Sequence, residues 1–313
     1  MAAKKKLDNS NISKHLGQTS QYKSTYDSSL LVREPRQSNR THLGLEDEDL
    51  PFVGNDTWNA YEISGLTDAG LPVTGIAKIV YRCSNKYIVE SKSIKLYFNS
   101  FNMTKLGPNA EGVRRAIEVH ASQDLSKLLE TDVEVKVFSN EFVLKDKNNA
   151  CTEWGHDYGK LGKRSYITLE EAYPVDDVEF SVYNETPELL EVLDSEVDEV
   201  FYHSALLKSN CRVTSQPDWG DVYIYMKGKQ TVDPISLLKY IISFRDECHF
   251  HEEICETIYK RLYDIVKPDK LCVRCLYARR GGIDINPERA SCVEVLHWTL
   301  SDVGIPFIKT PKQ

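Results

Sequence analysis

The sequence predicts an α+β protein in which antiparallel strands carry helices on one side. Three observations lead there. Val133-Glu134-Val135-Lys136-Val137 alternates apolar and polar residues at the strand period, and residues 111–129 place Val113, Ile117, Leu125, Leu128 and Leu129 at helical intervals. The second half of the chain then repeats this outline, with the helices grouped rather than alternating with single strands as a parallel sheet requires.

Taken in order, residues 1–50 are rich in Ser, Asn, Gln, Lys and Asp with little periodicity, the composition of a partly disordered or wrapped arm. Tyr26-Asp27-Ser28-Ser29-Leu30-Leu31 is its stretch best equipped to dock. The first structured block, residues 51–190, carries Ile76-Ala77-Lys78-Ile79-Val80-Tyr81 and Tyr87-Ile88-Val89-Glu90, read as paired strands. The helix of residues 111–129 and the strand at Val133 to Val137 follow. Val178, Phe180 and Val182 mark one more half-buried strand in an otherwise polar region. The second block, residues 191–313, opens a strand at Asp221 to Met226, turns at Lys227-Gly228-Lys229, and continues into a helix begun by Pro234. A second helix spans about residues 250–265, with Ile254, Ile258 and Leu262 spaced at four. Residues 271–277 return to a strand.

The 313 residues are 41% hydrophobic and 27% charged, enough to bury a substantial core. A net charge of -8 argues against a protein that grips nucleic acid through counterion release, which needs a basic face. Lys4, Lys5 and Lys6 precede Leu7-Asp8-Asn9-Ser10-Asn11 rather than an apolar segment, and no run approaches the roughly 18 apolar residues of a membrane span, so the expected location is the cytoplasm. Eight cysteines without a secretory signal read as reduced thiols, metal ligands or a catalytic group.

Neither a G-x-G-x-x-G nor a G-x-x-x-x-G-K-[ST] motif is present, so neither a Rossmann pocket nor a P-loop is supported. The most unusual segment is Asn210-Cys211-Arg212-Val213-Thr214-Ser215-Gln216-Pro217-Asp218-Trp219-Gly220, which reads as a site loop. A thiolate is the attacking species, Lys208 and Arg212 nearby would lower its pKa, and a carboxyl held close would pass protons to an adduct. The plain alternative is a buried, inert cysteine. Cys248, His249 and His251 with Cys272 and Cys275 have zinc-ligand chemistry, but Cys272 and Cys275 at an odd spacing in a strand point to opposite faces. No metal is therefore expected. Arg279-Arg280-Gly281-Gly282 offers guanidinium groups and glycines to a phosphate, or is a solvated turn. Glu90-Ser91-Lys92-Ser93-Ile94-Lys95-Leu96-Tyr97 reads by itself as a strand end with a charged face.

Together, these segments resemble the motifs of the long, two-domain form of NADPH-dependent 7-cyano-7-deazaguanine reductase, the nitrile reductase of queuosine biosynthesis. The match runs through Glu90-Ser91-Lys92-Ser93 with Asn99-Ser100-Phe101-Asn102, Asn210-Cys211 with Gln216-Pro217-Asp218-Trp219-Gly220, Phe250-His251-Glu252, and Arg279-Arg280-Gly281-Gly282 with Asp284-Ile285-Asn286-Pro287. It extends into the arm through Thr25 to Leu31 and Asn39-Arg40. The resemblance implies that Cys211 adds to the nitrile carbon to give a thioimide, with Asp218 as proton donor. Val89, Glu90, Ser91, His251 and Glu252 would hold the deazaguanine, and Ser91, Lys92, Arg280 and Gly281 would contact NADPH. It implies two tandem tunnelling-fold units, residues 51–190 and 191–313, and a homodimer with no direct nucleic-acid partner. Arg212 stands where the family pattern has a proline or an aliphatic residue, and Cys255 lies one position beyond the cysteine that often follows the His-Glu pair, which puts a disulfide with Cys211 in question. Two other readings stay beside this one: a zinc-dependent purine-ring hydrolase of the same superfamily, similar to GTP cyclohydrolase I, with Cys248, His249 or Cys275 as ligands, and a binding protein that keeps the pocket without turnover.

Overall fold

A computed structural model describes residues 22–139, 160–161, 164–194, 197–305 and 312–313. Its frame is one antiparallel-dominated sheet that runs through both halves of the chain. The first half supplies β1 (Val53–Thr67), β2 (Pro72–Arg82), α1 (Ser91–Ser100), α2 (Ala110–Leu129) and β3 (Val133–Phe138). The second supplies β4 (Val197–Ser204), β5 (Lys208–Cys211), β6 (Pro217–Gly228), α3 (Pro234–Ser243), α4 (His251–Val266), β7 (Lys270–Tyr277) and β8 (Ile283–Ala290). Neighbours follow the order β5, β6, β7, β8, β1, β2, β3, with β4 also pairing β6.

Alternation along the strands decides where the helices sit. Val222, Ile224 and Met226 of β6 and Leu271, Val273 and Cys275 of β7 face α3 and α4 in one core, while Tyr223, Tyr225, Cys272 and Leu276 face the other way. A second core joins α1 and α2 to β1, β2 and β3 through Ile79, Ile94, Tyr97, Ile117 and Leu125. The α+β reading holds: antiparallel strands, helices on one face. Caps match local chemistry. Asn109 accepts from Gly112 N–H at 2.9 Å to start α2, and Asp233 accepts from Ser236 N–H at 2.8 Å just before Pro234 starts α3.

The two halves meet where β8 pairs with β1, Arg289 opposite Gly54 and Ile285 opposite Trp58. A Cβ on Gly54 would lie 2.0 Å from the Glu288 carbonyl oxygen, so this approach requires glycine. Buried charge fills the same junction. Arg289 reaches Glu256 at 2.8 Å and Asp56 at 2.9 Å, and Arg40 of the arm reaches Glu256 at 2.7 Å and Asp47 at 2.7 Å. Arg36 pairs with Asp56. Burial disfavours ionised Glu256, yet the guanidinium groups of Arg289 and Arg40 hold its carboxyl down to about 2.

Several expectations need correction. Residues 76–81 do not pair with Tyr87–Val89; they pair with β1 and β3, and Tyr87–Val89 pairs with Arg33–Pro35 of the arm. The Glu90 to Tyr97 segment is not a strand end but the start of helix α1, because Glu90 caps it. Val178, Phe180 and Val182 join no strand. Residues 22–50 dock as the Tyr26 stretch foreshadowed: the Tyr26 hydroxyl donates to Asp124 at 2.6 Å and its ring lies 4.8 Å from that of Phe101. The stretch of residues 1–14 falls outside the described residues.

Candidate active site

The β5–β6 hairpin, the start of α4, the β7–β8 connection and the start of α1 enclose a cavity of about 470 Å³. Its lining includes all ten residues singled out from the sequence: Val89, Glu90, Ser91, Lys92, Cys211, Asp218, His251, Glu252, Arg280 and Gly281.

Cys211 ends β5 and Asp218 sits near the start of β6. The segment is thus a hairpin rather than an open loop, with Ser209 opposite Asp218 and Asn210 opposite Pro217. The turn closes on the cysteine itself. Cys211 N–H donates to Gln216 O at 2.8 Å and Ser215 N–H to Cys211 O at 2.9 Å, with Ser215 in the left-handed region at φ 55. The half-buried thiol therefore has a fixed backbone. On its other side β5 pairs in parallel with Cys248–His249, Cys211 opposite His249.

The cations expected near the thiol lie elsewhere. Lys208 donates to Asn210 Oδ1 at 2.8 Å and to the Arg245 carbonyl, and Arg212 turns outward to Asn39 and Glu253. The guanidinium beside the thiol belongs to Arg280, which donates to Asp218 Oδ1 and also bears on Cys211. Burial works against an ionised Asp218, but His251 and Arg280 outweigh it and hold the carboxyl below its usual range. His251 Nε2 stands 3.4 Å from Asp218 Oδ2, a contact longer than a well-formed hydrogen bond. The imidazole is kept in place by the Tyr277 ring, 3.8 Å away between centroids.

Glu252, in the first turn of α4, is the opposite case. Burial, with the Asp56 charge behind it, pushes its carboxyl up to about 7 against the pull of His251 and Arg36. Its Oε1 is buried with no hydrogen-bond partner among the described residues. An unpaired acceptor at a cavity wall calls for a donor from a ligand. Glu90 is engaged otherwise: its two oxygens accept from Lys92 N–H at 2.9 Å and Ser93 N–H at 2.7 Å as the cap of α1.

The cavity rim between α1 and the β7–β8 turn is cationic. Lys92 and Lys95 come from α1 and Arg280 from the turn, with Lys95 held 3.3 Å from Glu62. Gly281 takes φ 57, and a Cβ there would lie 3.4 Å from Lys95 Nζ, so its left-handed conformation and bare backbone leave room beside the ammonium. Ammonium, guanidinium and exposed backbone form a donor set suited to phosphate. The reading from sequence missed Trp58, Ile283 and Ile285, the apolar wall, since none lies in a segment that had been read as a strand. Cys272 and Cys275 do face opposite sides of β7, so the two cannot converge on one ion.

The family model described as nitrile reductase, 7-cyano-7-deazaguanine-reductase N-term, matches residues 22–137, and that described as QueF-like protein matches residues 217–295. An NADPH-dependent 7-cyano-7-deazaguanine reductase of Colwellia psychrerythraea is 38% identical over 306 residues, 95% of each chain. The enzymes of the same name from Legionella pneumophila and Cupriavidus metallidurans are each 41% identical, covering 88% of this chain and 89% and 92% of their own. Similarity to the solved apo structure of the archaeosine synthase QueF-Like covers 33% of this chain at a TM-score of 0.27 and 16% identity, too slight to bear on the fold. With near full-length relatives at about 40% identity, the chain belongs to the family of NADPH-dependent 7-cyano-7-deazaguanine reductases.

Proposed function

We propose that this protein reduces the nitrile of 7-cyano-7-deazaguanine to the primary amine of 7-aminomethyl-7-deazaguanine, with NADPH as reductant and a thioimide on Cys211 as intermediate, in the making of queuosine. The observation that carries the reading is the grouping, in one cavity, of a half-buried thiol, a buried carboxylate and a guanidinium that bears on both.

The held-down carboxyl of Asp218 is compatible with a proton donor once the thiol is considered. Asp218, ionised at rest, takes the Cys211 S–H proton as sulfur bonds to the nitrile carbon. One C≡N π pair moves onto nitrogen, and Asp218 returns the proton there. The S–H bond has then added across C≡N with nothing lost. Arg280 steadies whichever of thiolate or carboxylate is charged. Glu252 accepts from the ring and exocyclic N–H groups of the base, His251 flanks it, and Val89, Glu90 and Ser91 close the opposite wall. Lys92, Arg280 and the bare backbone of Gly281, with Ser91, would hold NADPH, which supplies a hydride for each of two reductions. Trp58, Ile283 and Ile285 keep water from the imine between those steps.

We also infer that residues 51–190 and 191–313 are each one tunnelling-fold unit, that two chains pair, and that the protein works in the cytoplasm without gripping nucleic acid. Antiparallel strands with two helices on one face in each half support the fold units, and the net charge of -8 supports the lack of a nucleic-acid grip. Intact-mass measurement with the nitrile and no NADPH tests the mechanism. The wild type should gain the whole mass of the nitrile, Cys211→Ala none, and Asp218→Asn should form the adduct more slowly by about 10²-fold or more. A wild type that reduces the nitrile yet never carries it on Cys211 contradicts the thioimide.

A further inference from the structure

Cys211 and Val213 both line the cavity, but Arg212 between them points the other way. Its guanidinium donates through NH1 to Asn39 Oδ1 in the docked arm and through NH2 to Glu253 Oε1 at 3.3 Å in the first turn of α4, and it lies 5.3 Å from the centre of the Phe250 ring. Both partners are buried: Asn39 is 5% exposed and Glu253 2%. Three segments far apart in sequence therefore meet on the residue that follows the nucleophile.

Glu253 draws a second cation into the same junction. His249 Nδ1 stands 2.8 Å from Glu253 Oε1 and its Nε2 3.0 Å from Glu247 Oε2, so the two carboxylates, against the opposing effect of burial, raise the imidazole to about 9. His249 is the parallel partner of Cys211, and its ring stacks 6.2 Å from that of His42 in the arm. The arm thus reaches the turn after the nucleophile through Asn39 and the strand beside it through His42. Arg212, Asn39, His42 and Glu253 stay outside the cavity, whereas His249 and Phe250 also line its wall.

We infer that Arg212 is a positioning residue, a latch that ties the Cys211 turn to the N-terminal arm and to α4 so that the thiol is aimed before substrate arrives. The inference rests on the proposed role of Cys211 but makes a claim of its own about the turn. A guanidinium suits the task because its fork of donors can serve two acceptors at once, where lysine offers a single ammonium. Misplacing a reacting atom by an ångström is enough to slow a step by orders of magnitude.

Two rates on the full-length protein separate a latch from a charge effect on the thiol. One is alkylation of Cys211 by iodoacetamide, followed on its peptide by mass spectrometry. The other is thioimide formation with 7-cyano-7-deazaguanine in the absence of NADPH. For Arg212→Leu and, independently, Asn39→Ala, alkylation should quicken about fivefold as the turn loosens, while thioimide formation slows about tenfold. Arg212→Lys should fall between Arg212→Leu and the wild type. If Arg212 acted as a charge on the sulfur, both rates would fall together, and that result overturns the latch, as does an unchanged alkylation rate in Asn39→Ala. Should the wild type itself form no thioimide, the reductase mechanism fails, and the alkylation contrast alone decides the latch.

Discussion

Replacing Glu252 by Gln tests the proposed base-binding role of this residue and has two consequences of opposite sign. The wild-type carboxyl is raised to about 7, with Oε1 buried and unpaired. Ionised, it can accept two N–H groups of the deazaguanine, each hydrogen bond to a charged group contributing about 1.5–3 kcal/mol. Glutamine keeps one acceptor and turns a donor toward a donor. The loss of one such bond, with a buried N–H left facing another, is about 3 kcal/mol, or ~10²-fold in affinity. Calorimetric titration with the nitrile, using Cys211→Ala to stop covalent capture, measures this directly. The pH profile follows from the same group. Below about 7 most of Glu252 is protonated, so at pH 6 only about a tenth of the protein is competent, and affinity should rise about tenfold between pH 6 and pH 8 before levelling. Stability runs the other way. A carboxyl raised on folding above its ordinary 4.5 destabilises the native state as pH rises from 4.5 to about 7, by about 3 kcal/mol at most. Glu252→Gln should therefore melt higher than the wild type at pH 8 while binding worse. Affinity within threefold of the wild type, or a flat profile from pH 6 to 8, refutes the assignment.

Other elements give equally definite expectations. Arg40→Ala leaves Glu256 and Asp47 short of a buried partner and should cost about 3–5 kcal/mol in denaturant unfolding, with the arm cleaved first under limited proteolysis; a loss under 1 kcal/mol contradicts the junction described here. Gly54→Ala places a methyl 2.0 Å from the Glu288 carbonyl oxygen, where only the backbone can yield, and should lower stability by about 3 kcal/mol or more, read from Tm. His249, raised to about 9, adds stability that is complete below 6.5 and is lost as pH climbs through 9. The wild-type Tm should fall across that window, and that of His249→Gln should fall less.

The helices and strands legible in the sequence are those whose neighbours sort polar from apolar. α2 and β3 have one wet face and one dry, so their periods show. β1 and β8 do not, because Asn55, Asp56, Asn59, Asp284, Asn286, Glu288 and Arg289 are all buried. Their partners come from distant residues, Arg36 for Asp56 and Asn59 for Asp284, and no local pattern announces a polar residue that will be paired inside. Ile94, Tyr97, Phe98 and Phe101 form one buried helical face of α1, but the charged residues interleaved among them mask its period. Residue chemistry alone marked Cys211 and Asp218 as candidates; the other eight site residues came from the family resemblance, and all ten share one cavity. Which cation stands at the thiol was not legible. Proximity in sequence favoured Lys208 and Arg212, whereas the chain delivers Arg280 across the sheet.

The measurement closest to the central claim is NADPH oxidation, followed by its absorbance, with limiting 7-cyano-7-deazaguanine and with wild type and Cys211→Ala side by side. The wild type should consume two NADPH for each nitrile and release the primary amine, and Cys211→Ala should consume none. Turnover that survives in Cys211→Ala, or a wild type that leaves NADPH untouched in the presence of the nitrile, would contradict the account.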